Sequence, residues 1–214
     1  MTVTIPIRAI ELTPGSLISV QNVSWQDFET LLTELPEKRS TRIAYYQGTL
    51  EIMSPLASHE RPHRIIGYIV TAILDAQERD WDDFGSTTLK RPQIAGVEPD
   101  TCFYIQNAAQ VRGCTDMDIS TYPPPDLAIE SDVTSKTTLD AYTALRVPEV
   151  WIYRSQQLKM YVLQENGYIE TSISPTFPDL AIAELIPEWV QKAIAEGTSK
   201  MLRELRTQFT NFTN

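Results

Sequence analysis

Apolar and polar positions alternate along the chain in two different rhythms. Trp25, Phe28, Leu31, Leu32 and Leu35 recur at helical spacing behind Ser24 and stop at Pro36, which predicts a helix. Arg42 to Tyr46 and Thr49 to Met53 read as strands joined across Gln47-Gly48, a hairpin that Ser54-Pro55 ends. Ser58 is placed to cap a long helix reaching about Arg79, with Ile65, Ile66, Ile69, Val70, Ile73 and Leu74 on its apolar face. Pro62 is tolerable in what reads as its first turn. Phe84 to Leu89 and Thr101 to Ile105 are strand candidates, the second approached through a turn-like Gly96-Val97. The polar stretch Gln106 to Pro125 is long for a plain connection, as if it covers a site or carries a partner surface. Beyond it the pattern predicts a central strand at Leu127 to Val133, a short helix at Thr137 to Leu145 and a buried strand at Val150 to Tyr153. Leu158 to Leu163 and Tyr168 to Ser172 flank a hairpin turn at Glu165-Asn166-Gly167. Pro187 to Phe209 supplies a terminal helix interrupted at Gly197, and the first eight residues read as an edge strand or an arm. The order implies an α/β fold, a mixed sheet flanked by helices, in one domain over residues 1–214. Residues 1–40 form its N-terminal strand and helix extension, and 187–214 its C-terminal helix.

Composition narrows the class. With 214 residues, 42% apolar and 21% charged, the chain suits one good-sized globular domain. No apolar run approaches the ~20 residues that span a bilayer, and no secretory signal is legible at the start. Cys102 and Cys114 are the two cysteines and form no Cys-x-x-Cys, which fits a reducing cytoplasm without disulfides. The net charge of −10 argues against broad non-specific binding to nucleic acid. It leaves room for a local site, because a bound cation and a small basic rim reverse the field over a cleft.

The candidate chemistry lies in P-D-L-A-I-E-S-D-V-T-S-K, Pro125 to Lys136. On a strand Glu130 and Asp132 share a face, where two carboxylates repel unless a cation lies between them. If this strand pairs with the one that Asp100 leads, Asp100, Glu130 and Asp132 converge on one point. Such a group of oxygen ligands suits Mg²⁺ or a similar hard ion. A second motif, His59-Glu60-Arg61-Pro62-His63, matches the zinc-protease pattern H-E-x-x-H, although Pro62 interrupts it. Blander readings stand beside both: solvated acids at strand ends, Asp132 capping the next turn, and a polar first helical turn. Tyr45, Tyr46, Trp151 and Tyr153 read as core aromatics, and Arg39 to Arg42 and Lys90-Arg91 as short basic clusters equally at home on a solvated face.

G-T-L-E-I-M-S-P, H-E-x-x-H, V-E-P-D, P-D-L-A-I-E-S-D-V-T-S-K and V-P-E-V-W-I-Y follow one another in a single order. That order closely resembles the Uma-two family, placed in the PD-(D/E)XK nuclease superfamily, over roughly Gly48 to Ile186. The resemblance implies a restriction-endonuclease-like core with Asp100 as first metal-binding acid, Glu130 as second and the Ser131 carbonyl as a further ligand. Asp132 stands where the superfamily has its lysine, and Thr138 about where relatives carry a lysine moved to the next helix. Lys136 is then the nearby candidate to orient the attacking water, and His59 or Glu60 faces the acids to help hold a second metal or a phosphate. The implied activity is Mg²⁺- or Mn²⁺-dependent hydrolysis of DNA phosphodiester bonds, with duplex DNA as substrate and a homodimer as the working form. Two alternatives stay open: a catalytically silent nucleic-acid-binding or assembly module, and a zinc metallohydrolase using His59 and His63.

Overall fold

Ser24 opens the first helix with a reciprocal cap: its hydroxyl accepts from the Asp27 amide, and its own amide donates to the Asp27 carboxylate. The computed structural model describes residues 10–36, 39, 41–114, 117–131 and 135–210, with the backbone alone at 57–60 and 210. In chain order the elements are β1 (Leu17–Val20), α1 (Trp25–Glu34), β2 (Arg42–Tyr46), β3 (Thr49–Met53) and α2 (Ala57–Ala76). Then come β4 (Asp82–Asp83), β5 (Leu89–Arg91), β6 (Ala95–Val97), β7 (Thr101–Tyr104), α3 (Ala108–Val111) and β8 (Leu127–Ser131). The chain continues through α4 (Lys136–Leu145), β9 (Glu149–Arg154), β10 (Gln157–Gln164), β11 (Gly167–Thr171), α5 (Ile182–Glu196) and α6 (Thr198–Thr210). The edge strand expected in the first eight residues lies outside the described residues.

Two sheets form, in the orders β1-β3-β2-β6-β5 and β11-β10-β9-β8-β7-β4. The second is mixed: β8 and β9 run parallel, joined by α4, and the other pairs are antiparallel. This is the α/β mixed-sheet fold that the element order implies. Period-two alternation sorts its residues. Leu127, Ile129, Phe103, Trp151 and Tyr153 pack with α2, α5 and α6, while Ala128, Cys102, Tyr104, Val150 and Ile152 pack with Ala141, Tyr142 and Leu145 of α4. The same second cluster takes in Ala44, Leu89, Ala95 and Val97, so α4 lies between the two sheets. Phe28 and Leu31 of α1 cover the other face of the first sheet against Ile43, Tyr45, Leu50 and Ile52.

Several elements depart from the pattern-based reading. Phe84 to Leu89 is no strand: the Gly85 amide bonds to the Asp83 carboxylate and the Thr87 amide to the Phe84 carbonyl, and this turn chemistry separates β4 from β5. Gly96-Val97 is no turn but part of β6, and a Cβ on Gly96 would meet the Phe28 ring at 2.5 Å. Glycine there admits α1 onto the sheet. Helix α2 begins before Ser58, after a Leu56 N-cap, which puts Pro62 in its second turn. The terminal helix starts at Ile182 rather than Pro187, and Gly197, at φ 97°, divides it. Within the long polar stretch, Val111 and Met117 are buried, so that stretch contributes to the core.

Candidate functional site

Pairing of β7 with β8 builds the site. Thr101 faces Ile129 in the antiparallel register, so one residue further Asp100 and Glu130 stand opposite each other where β7 begins and β8 ends. The Ser131 amide donates to Asp100 Oδ2 at 2.7 Å and fixes the first acid. The Tyr142 hydroxyl of α4 donates to Glu130 Oε1 at 2.5 Å and fixes the second. Both acids are buried, Asp100 with 7% of its surface exposed and Glu130 with 4%.

Burial, and then the charge of Asp100, push the Glu130 carboxyl well above the ordinary carboxylate range, against the opposing pull of Tyr142 and Arg42. Burial and the Glu130 charge likewise push the Tyr142 phenol up. Arg42 at the start of β2 approaches Asp100 with Nε 3.6 Å from Oδ1, and so does His63 on α2 with Nδ1 3.9 Å from Oδ2. A small hollow of about 40 Å³ lies alongside, lined by Arg42, Glu51, Glu98, Glu130, Ser135 and Thr138 among others. That is room for a few water-sized groups. Glu51 Oε1 accepts from Thr137 Oγ1, while its buried Oε2 has no hydrogen-bond partner among the described residues. The oxygen left over is an unpaired acceptor that a proton or a cation would satisfy.

The structure thus brings Asp100, Glu130 and Ser131 together and leaves Lys136 apart. Lys136 is exposed at the start of α4 and lines a neighbouring hollow, with Ser135 shared between the two. Asp132 and the side chains of His59 and Glu60 lie outside the described residues. Among the described residues, no group of three or more His, Cys, Asp or Glu is arranged to hold a metal ion. The donors that do meet at the hollow are carboxylates, which suit a hard cation better than zinc.

Arg42, Glu51, His63 as a neighbour of Asp100, and Tyr142 escaped assignment to this site from sequence. Arg42 and Glu51 belong to the hairpin, whose sheet touches the acids only through tertiary packing, and Tyr142 follows the apolar helical pattern like any core aromatic. Three conspicuous acids prove to hold the frame. Asp126 accepts from the amides of Ile105, Gln106 and Asn107. Glu149 accepts from Trp151 Nε1 and from the Thr176 amide and hydroxyl. Glu98 pairs with Arg39 and accepts from Thr88.

Among solved structures, the chain is similar to a protein described as a putative nuclease belonging to DUF820 from Anabaena variabilis, at 16% identity and a TM-score of 0.50. The match covers 78% of this chain and 99% of that one. At that identity the likeness speaks to the fold. No protein in the curated comparison matches the chain. The model of the Uma2 family, described as "Putative restriction endonuclease", matches residues 25–195, most of the chain and every element that builds the site; the chain belongs to the Uma2 family.

Proposed function

We propose that the chain is a Mg²⁺- or Mn²⁺-dependent endonuclease that hydrolyses phosphodiester bonds of duplex DNA. One observation carries the reading: β7–β8 pairing buries Asp100 and Glu130 opposite each other, a like-charge pair that a divalent cation would relieve. Asp100, Glu130 and the carbonyl of Ser131 would hold the ion, and the unpartnered Glu51 oxygen beside the same hollow fits this donor set. A divalent ion so held lowers the pKa of its bound water and neutralises charge on the scissile phosphate.

The chain's own residues prepare that site. The Ser131 amide donates to Asp100 and the Tyr142 hydroxyl to Glu130, which orients both carboxylates. Arg42 takes the place that the superfamily gives its lysine as the cation beside the acids, because Lys136 opens onto the neighbouring hollow. A guanidinium stays charged throughout and binds phosphate oxygens in pairs, but it serves poorly as a proton acceptor. Arg42 therefore orients and balances charge. We further propose a homodimer, since a duplex offers two strands to cut; a solution mass that stays at the 24.3 kDa of one chain would refute it.

The test is cleavage of supercoiled, linear and single-stranded DNA with Mn²⁺, comparing wild type with Asp100→Ala and Glu130→Ala. Cleavage by wild type alone supports the proposal. The second reading, a silent nucleic-acid-binding module, draws on Asp132 standing where the superfamily has lysine and on Arg42 already facing Asp100. Mn²⁺-dependent stabilisation without cleavage in any of the three substrates would favour it. Stoichiometric tight zinc in the purified protein would favour the metallohydrolase instead.

A further inference from the structure

The hollow beside the acids holds three cations in a chain whose net charge is −10. Lys136, Arg154 and Lys159 line it together with Ser135, Ile152 and Tyr161, and no acid is among its described lining residues. Its volume is about 430 Å³, and Ser135 lines both it and the smaller acid hollow.

Sheet register ties the two together. Glu130 on β8 pairs with Ile152 on β9, and Ile152 pairs with Lys159 on β10, so the three form one row across the sheet. Cross-strand partners share a face, which puts Lys159 on the side of the sheet that carries Glu130. Arg154 is two residues beyond Ile152 on that same face. Strand spacing of about 4.8 Å puts the Lys159 backbone roughly 10 Å from that of Glu130, a span that a DNA strand rising ~3.4 Å per nucleotide covers in about three nucleotides.

The cations are carried rigidly. Arg154 and Gln157 are paired across the two-residue turn Ser155-Gln156, both at positive φ, and Lys136 begins a helix whose Ser135 cap accepts from the Thr138 amide. Among the described residues Lys136 has no ion-pair partner. Lys159 bonds Glu170 at 3.1 Å, but both side chains are more than half exposed, the kind of pair that contributes little and exchanges readily for phosphate. Half-buried Tyr161 adds a flat apolar surface to the lining.

We infer that this hollow is the track for the DNA backbone leading to the acids, with Lys136, Arg154 and Lys159 each contacting a phosphate on one side of the cleavage point. The inference rests on the nuclease reading and adds where the substrate lies. Binding separates the two. A short fluorescent duplex is titrated by anisotropy with Ca²⁺ present and Mg²⁺ and Mn²⁺ withheld, across a range of salt. Each phosphate contact contributes about 0.9 to the slope of log K against log salt, so Lys136→Ala, Arg154→Ala and Lys159→Ala combined should flatten it by ~2.7 and weaken binding on the order of 10²-fold near ~0.1 M salt. Lys200→Ala, on the distant α6 and paired with Glu196, should leave both unchanged. If wild type binds DNA and the triple variant matches its affinity and slope, the track lies elsewhere and the nuclease reading stands. If wild type binds no DNA at any salt, both are overturned.

Discussion

Replacing Glu130 with Gln tests the electrostatics on which the site depends. The native carboxyl is held well above the ordinary value of 4.5 by burial and by Asp100, so it keeps its proton after the unfolded chain has lost it. Below that ordinary value both states carry the proton, and the residue contributes no pH dependence. As pH rises further, the unfolded state ionises first and binds fewer protons than the native state, so stability falls. The fall amounts to about 1.4 kcal/mol per pH unit and stops once native Glu130 ionises. The amide of Glu130→Gln can still accept from Tyr142 and does not titrate. Its melting temperature should therefore gain on wild type with rising pH, by roughly 3–6 °C per unit for a chain of this size. Asp100→Asn removes the second cause, the neighbouring charge, but leaves the burial of Glu130, so it should show the trend more weakly. Mn²⁺ replaces the proton: at a hundred times Kd it should stabilise wild type by about 2.7 kcal/mol and the Gln variant far less. Calorimetry across pH, with and without Mn²⁺, reads both effects. A difference between wild type and Glu130→Gln that stays flat from acid to alkaline pH would refute the buried like-charge pair.

Other substitutions probe the site and its frame. Arg42→Met removes the guanidinium beside Asp100 and should cost about 3–5 kcal/mol without metal, with a larger Mn²⁺-induced rise in melting temperature than wild type shows; an equal or smaller rise counts against Arg42 as the balancing cation. Asp126→Ala frees three backbone amides and should destabilise by about 2–4 kcal/mol in urea unfolding, while Mn²⁺ stabilisation persists because Asp126 is not a ligand; loss of that stabilisation in a folded variant would move Asp126 into the site. Gly96→Ala drives a methyl into the Phe28 ring, which stacks on Tyr45, and should cost about 1–3 kcal/mol. Phe28→Leu should relieve part of that penalty, and strict additivity of the two changes would contradict the contact.

The buried acids of this chain divide by what their oxygens meet. Asp126 and Glu149 spend theirs on amides, a hydroxyl, an amide side chain or an indole that complete the fold, whereas Glu98 gives Oε1 to Arg39 and Thr88 and also lines the hollow. Glu130 and Glu51 line a hollow, Glu51 with one buried oxygen that has no hydrogen-bond partner among the described residues, and Asp100 accepts from the Ser131 amide and meets Arg42 and His63 at longer range. No spacing rule reveals which of these oxygens the fold leaves unpartnered.

Local sequence determined a good part of the protein. The Asn166-Gly167 hairpin, the Ser24 helix start, the buried strand of the apolar run Leu127 to Ile129 and the helical stripe from Ile65 to Leu74 all form where their patterns put them, because turn chemistry and side-chain period act within a few residues. The convergence of Asp100 on Glu130 was legible too, since each acid ends or precedes an apolar strand and pairing those strands leaves one register for them. Tertiary structure decided the rest. Gly96 reads as a turn until a helix packed against it shows why a side chain cannot stand there. Arg42 and Glu51 lie far from the acids in the chain and reach them because α4 holds the first sheet against the second. Lys136, near in sequence, turns to the neighbouring hollow because helix α4 starts with it and carries its side chain outward. Sequence distance measures what a turn can bring together, whereas charge acts through space, and space is set by packing.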